Sequence, residues 1–275
     1  MARQAKTQHI IDVAYEILSG LHPMTVRQVY YQLVSRLVIE NNRSKYQAVS
    51  SALVDARKEG DIPWGWIEDR LRKPVIYGGY DNLADFAKYL PSQYQRDFWV
   101  TQENVVECWV EKDALSGVFG DVLGYYRVTY NVGRGFDGWS SIYNASQRYE
   151  DYESVTILYF GDFDPSGEEM VTSLEKRLNE LDCFPDIHKV ALTKADVLQY
   201  DLPSDFTKAT DTRSKKFIEQ HGDMAVELDA LPVNVLRSLI VQAVEPLVNL
   251  EALAVMKELE RKEKDMLKAL VEPLK

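Results

Sequence analysis

Residues Ser154–Gly167 read SVTILYFGDFDPSG. The first half is uncharged and rich in β-branched and aromatic residues, the composition of a strand covered on both faces. Gly161 ends it, and two aspartates follow two residues apart, Asp162 and Asp164, before Pro165 and Gly167 lead into a helical run over 168–181. Proline holds the residue before it in extended geometry, so the two carboxylates share a side of the chain. In an open parallel sheet, ligands bind beyond the carboxyl ends of the strands, and that is where this pair falls.

Working outward, the same grammar recurs. VVECWV (Val105–Val110) ends on Glu111-Lys112 and precedes a helical run over 114–123. RVTYNV then leads through the glycine-rich GRGFDG to a helix over 139–149, and a further apolar strand lies around 190–192. Apolar strands alternating with helices predict a mixed α/β fold whose parallel sheet is flanked by helices. Glu111, Asp162 and Asp164 then meet at one sheet edge, where their mutual repulsion calls for a hard cation such as Mg²⁺. Acids at strand ends also serve as solvated turn or helix N-terminal charges, a reading that suits Glu168 and Glu169.

The first 80 residues are of another kind. Apolar residues at three- and four-residue steps predict a helix over 5–18. A second helix starts at a capping box, Thr25 with Gln28, flanked by Met24 and Val29 as a hydrophobic staple. A third runs over 44–58 to Gly60. IPWGWIEDRLRKPVIYGGY, with its prolines, glycines and aromatics, predicts turns and short strands. Three helices and a strand pair outline a winged helix, giving a DNA-binding domain over 1–80, a connector over 81–102 and a sheet domain with C-terminal helices over 103–275. In the second helix, TVRQVYYQLVSRL, the apolar stripe centres on Tyr30. Tyr31 projects outside it as an exposed phenol, with Arg27 one turn below on its face. A guanidinium beside a phenol suits attack on a phosphate, and it equally suits a half-buried tyrosine next to a solvated arginine.

Composition narrows the classes. Among 275 residues, 45% are hydrophobic, enough for a substantial core, and the formal charge is −11. The charge is segregated: residues 1–80 carry 11 basic and 8 acidic side chains, a balance of +3, so the acidity lies beyond them. Two cysteines and four scattered histidines exclude a disulfide framework or a spaced zinc site and suit a reducing cytoplasm. No stretch is apolar enough to span a membrane, and no GxxxxGK[ST] phosphate loop occurs. Arg43, Lys45, Arg57 and Lys58 on the third helix, with Arg70, Arg72 and Lys73 in the wing, are candidate DNA contacts.

Taken together, the strand with Glu-Lys and the later Gly-Asp-x-Asp-Pro-x-Gly resemble the Toprim domain of topoisomerases, bacterial-type primases and certain nucleases. Val-Arg-x-x-Tyr-Tyr in a winged helix ahead of it is similar to the A subunit of type IIB topoisomerases, the topoisomerase VI family, and to the meiotic double-strand-break transesterase. The resemblance covers most of the chain and implies that Tyr31 is a nucleophile forming a 5′-phosphotyrosyl link, that Arg27 assists, and that Glu111, Asp162 and Asp164 hold Mg²⁺. It also implies a homodimer on double-stranded DNA, each Tyr31 reaching the partner's crevice, in the cytoplasm and associated with the nucleoid. A separate ATPase subunit would be a further partner, and no membrane is involved. Lys112 and Arg134 join the candidate DNA contacts, although GRGFDG departs from the family's Lys-Gly-x-Pro-Asp. VELDALP (Val226–Pro232) is similar to a later segment of that domain, with Glu227 in a structural role. Two rival expectations remain, a Toprim nuclease using metal-activated water and a non-catalytic DNA-binding assembly protein.

Overall fold

In the computed structural model, residues 5–68, 78–133, 138–204 and 214–274 are described. Four strands, β1 (Val105–Val110), β2 (Thr129–Val132), β3 (Val155–Phe160) and β4 (Asp186–Ala191), form one parallel sheet in the order β2-β1-β3-β4. The fold class is thus the mixed α/β one expected, with helices flanking an all-parallel sheet. The period of two explains how both faces are buried. Cys108, Val110, Leu158 and Phe160 face one core, whereas Trp109, Ile157 and Tyr159 face another. That second core is closed by α6 (Trp139–Tyr149) and α7 (Pro165–Asn179), which supply Ile142, Ala145, Tyr149, Met170, Leu174 and Leu178. On the other face lie α5 (Ser116–Tyr126) and α10 (Val233–Val244), through Phe119, Leu123, Leu236 and Ile240.

Ahead of the sheet, α1 (Ala5–Leu21), α2 (Val26–Ser35) and α3 (Arg43–Glu59) pack on one another. Their buried side chains, among them Ile11, Leu18, Val29, Leu33 and Leu53, belong to the same continuous core as one face of the sheet. Thr25 and Gln28 make the reciprocal capping box read from the sequence, and α3 ends at Gly60 with φ of 86°, a left-handed geometry that favours glycine. The strand pair expected after α3 falls mainly on residues 69–77, outside the described residues, together with Arg70, Arg72 and Lys73. Up to Glu68 the backbone forms a 3₁₀ turn, Trp64–Trp66, and a single bridge of Ile67 with Met24.

The stretch expected as a connector carries α4 (Leu83–Gln93), which lies against α11 (Leu250–Val271). Glu260 of α11 is buried, accepting from the Arg96 backbone and pairing with Arg127, so this charge-rich helix contributes to the interior on one side. Among the described residues no single helix is long and apolar enough to cross a membrane.

Candidate active site

β1 and β3 are neighbours in register, and the Glu111 backbone donates to the Phe160 carbonyl at 2.9 Å. The two chain exits therefore lie side by side, bringing Glu111 next to Asp162. Glu111 Oε2 accepts the Asp162 backbone N–H at 2.9 Å. Asp162 is 6% exposed; its Oδ1 accepts from the Leu228 backbone at 2.8 Å and its Oδ2 lies 2.7 Å from Lys112 Nζ. The loop is tight: a Cβ on Gly167 would collide with the Asp162 carbonyl, and one on Gly161 would meet the Tyr159 ring and Glu111 Oε2. Lys189 steadies it from β4, donating to the Asp162 carbonyl at 3.1 Å and to Glu168 at 2.7 Å.

Asp164 has a separate task. Its Oδ1 accepts the Gly167 backbone N–H at 2.6 Å, making it the N-cap of α7 with Pro165 in the first turn. Of the three predicted carboxylates, Glu111 and Asp162 are thus brought together while Asp164 is engaged at the helix end. Lys112, expected at DNA, turns its ammonium inward to Asp162.

A segment distant in sequence completes the site. Phe163 and Val226 exchange two backbone hydrogen bonds, each 2.9 Å, and Phe163 packs on Phe217 and His221. This clamps the turn after Val226 onto the exit loop of β3. Glu227 then lies 3.6 Å from Lys112 and 2.6 Å from Arg27, while Asp229 lies 3.4 Å from Arg27 Nε. A charged chain therefore runs from α2 to β3 through Arg27, Glu227, Lys112 and Asp162.

Tyr30 is a core residue, as its place in the stripe requires, with its hydroxyl 2.9 Å from Asn41 Oδ1. Tyr31, expected to be exposed, is only 7% exposed. The periodicity of α2 leaves that flank open, but the turn over 227–230 packs against α2 and covers it. Arg27 does share the face of Tyr31, and the phenol lies between the charges of Arg27 and Glu227. Tyr31, Arg27, Glu227, Arg43, Asn41 and Tyr46 line a cleft of about 670 Å³. Arg43 and Lys45 belong to the first turn of α3, beside this cleft. Arg57 and Lys58 lie at its other end, about 20 Å away along the helix, with Arg57 stacked on Trp64 at 4.8 Å. Arg134, like Arg72, falls outside the described residues.

The electrostatics is unbalanced toward negative charge. Burial, reinforced by the Asp162 carboxylate, pushes Glu111 up to about 7. Burial raises Asp162 as well, despite Lys112, and pushes Asp229 up to about 6 against the opposing pull of Lys112 and Arg27. For Arg27, burial opposes the charge, but Glu227 and Asp229 outweigh it and the guanidinium is held more firmly protonated. Tyr31 is driven well above the usual phenol range, first by burial and then by Glu227. Among the described residues no three His, Cys, Asp or Glu side chains converge as a metal-holding group. Glu111 and Asp162 nevertheless fit Mg²⁺ by chemistry: both offer hard oxygens, and their raised pKa values mark a site short of positive charge.

Asp229 is the residue that sequence reading missed. Its spacing from Glu227 repeats that of Asp164 from Asp162, an acid-x-acid pair inside the otherwise apolar VELDALP, and this was the available signal. Neither a scan against protein-family models nor a search of curated proteins finds a match to this chain.

Proposed function

We propose that the chain is a Mg²⁺-dependent DNA transesterase resembling the topoisomerase VI A subunit, built from a winged-helix-like N-terminal unit and a Toprim-like sheet unit. In this reading a homodimer acts on double-stranded DNA in the cytoplasm, with an ATPase subunit as a separate partner, and each Tyr31 works with the carboxylates of its own chain rather than, as the resemblance implies, with those of the partner. The observation that carries it is the continuity of Arg27 and Tyr31 on α2 with Lys112 and Asp162 at the strand exits, joined through Glu227.

Tyr31 Oη attacks a backbone phosphorus, and Arg27 holds the phosphate oxygens and offsets their charge. Glu111 and Asp162 hold Mg²⁺, joined by Asp164 if it leaves its cap. The ion, when bound, stabilises negative charge on the phosphate and the departing 3′ oxygen. Arg43 and Lys45 beside the cleft hold flanking phosphates, and Arg57 and Lys58 extend the track.

A hydrolytic reading is the second, favoured by one observation. Tyr31 is buried and strongly held as a neutral phenol, a poor resting nucleophile, whereas a water activated at a cation held by Glu111 and Asp162 would act in its place. Incubating the protein with linear DNA and Mg²⁺ and analysing the products under denaturing conditions separates the two. Transesterification predicts protein covalently attached to 5′ ends through Tyr31 and no attachment for Tyr31→Phe. Undiminished cleavage by Tyr31→Phe, with free 5′-phosphate ends, would establish the hydrolytic reading instead.

A further inference from the structure

A nucleophilic phenol has to lose its proton as it attacks, and this one is held neutral at rest by burial. The acceptor must lie in the same cleft. Asn41, Asn42, Arg43 and Tyr46, which line it from the loop before α3 and from α3 itself, offer no basic oxygen comparable to a carboxylate. Glu227 is the one carboxylate in the lining. Its side chain is anchored from two sides, by Arg27 at 2.6 Å and Lys112 at 3.6 Å. Its Oε2 is buried and forms the 2.6 Å ion pair with Arg27, and the carboxylate is within hydrogen-bonding reach of the Tyr31 phenol. A carboxylate has about four acceptor positions, so Arg27 does not exhaust it.

We propose that Glu227 is a catalytic residue, the base that takes the Tyr31 proton during DNA cleavage and returns it during resealing. The proposal rests on the transesterase reading. In the forward step the Tyr31 Oη–P bond forms and the P–O3′ bond breaks. The phenolic proton passes to Glu227, and O3′ leaves with its electron pair and takes a proton from water. In the reverse step the 3′ hydroxyl gives its proton to solvent as O3′–P forms, the Tyr31 Oη–P bond breaks, and Glu227 gives the proton back to Tyr31. Asp229 supports this from behind. Both of its oxygens are buried without a hydrogen-bond partner among the described residues, and its Oδ2 lies 3.4 Å from Arg27 Nε while Glu227 is paired with the Nη2 of the same guanidinium. Arg27 therefore keeps a counter-charge while Glu227 is neutral.

The test is single-turnover formation of the covalent adduct by wild type, Glu227→Gln, Glu227→Asp and Asp162→Asn, on ordinary DNA and on DNA whose scissile 3′ oxygen is replaced by sulfur. Loss of a positioned base is expected to slow adduct formation by Glu227→Gln about 10²- to 10⁴-fold, with DNA affinity unchanged and Glu227→Asp recovering part of the rate. A sulfur leaving group needs little stabilisation, so it should rescue Asp162→Asn and leave Glu227→Gln slow. Wild type should also show a normal solvent deuterium isotope effect on adduct formation, a measurement that needs no substitution. Adduct formation by Glu227→Gln at the wild-type rate, rescue of that variant by sulfur, or no isotope effect in wild type would each overturn the assignment while leaving Tyr31 as nucleophile. Cleavage by wild type without any adduct would instead remove the transesterase reading, and this inference with it.

Discussion

Two glutamates four residues apart, Glu107 within β1 and Glu111 just past its end, are treated by the protein in opposite ways. Glu107, at 2% exposure, receives Arg148 on both oxygens, at 2.7 and 3.2 Å, and Asn131 as well. It lines a cleft of about 450 Å³ whose other cations, Arg96 and Arg127, are committed to carboxylates of α11. Glu111 is next to a second carboxylate, accepts one backbone N–H, and is pushed up to about 7. The first arrangement closes a structural charge. The second leaves two carboxylates side by side at the strand ends, the arrangement on which the proposed Mg²⁺ reading depends.

The contrast can be broken most forcefully through Arg148. Its removal leaves the buried Glu107 side chain with the neutral Asn131 and Tyr149, and Arg148→Ala is expected to lose about 3 kcal/mol in urea unfolding. Glu111→Gln, by comparison, is expected to abolish cleavage while keeping the fold. A large stability loss from Glu111→Gln together with none from Arg148→Ala would invert the two roles.

The next effect is seen in pH. The folded-state pKa values of Glu111 and Asp229 lie above their unfolded ones, so their protonated forms favour the native state. That stability is fully present below about pH 4 and is lost as pH rises through about 6 and 7, by about 3 kcal/mol for each group. Urea midpoints measured in EDTA should therefore fall from pH 5 to pH 8, and Glu111→Gln should flatten the upper part of that decline. A decline unchanged by the substitution would show that Glu111 is not its source. The smallest effect is that of Asn131→Ala, which removes one neutral donor from Glu107 and should cost about 1 kcal/mol; no loss would mean that its other partners suffice.

What was legible in the sequence was local. The strands at 105–110 and 155–160, the capping box at Thr25 and the proximity of Glu111 and Asp162 all follow from periodicity and from residues a few positions apart. The N-cap role of Asp164 was also available, since an acid directly before Pro and three residues before Gly167 is a helix start. The burial of Tyr31 was not. It depends on a turn 200 residues away, seated by the backbone pairing of Phe163 with Val226, and no pattern within α2 encodes its own covering. Asp229 escaped for the same reason, because an acid within an apolar segment declares a role only once its partners Arg27 and Lys112 are in place.

That pairing also fixes when the cleft comes into being. Arg27 and Tyr31 are made early and Glu227 and Asp229 late, so a chain still on the ribosome has the phenol without the carboxylates that surround it. At about 5–20 residues per second, the interval is about 10–40 s. During that time Tyr31 lacks its cover and Arg27 lacks Glu227 and Asp229, and the cleft is completed only in chains synthesised past Asp229.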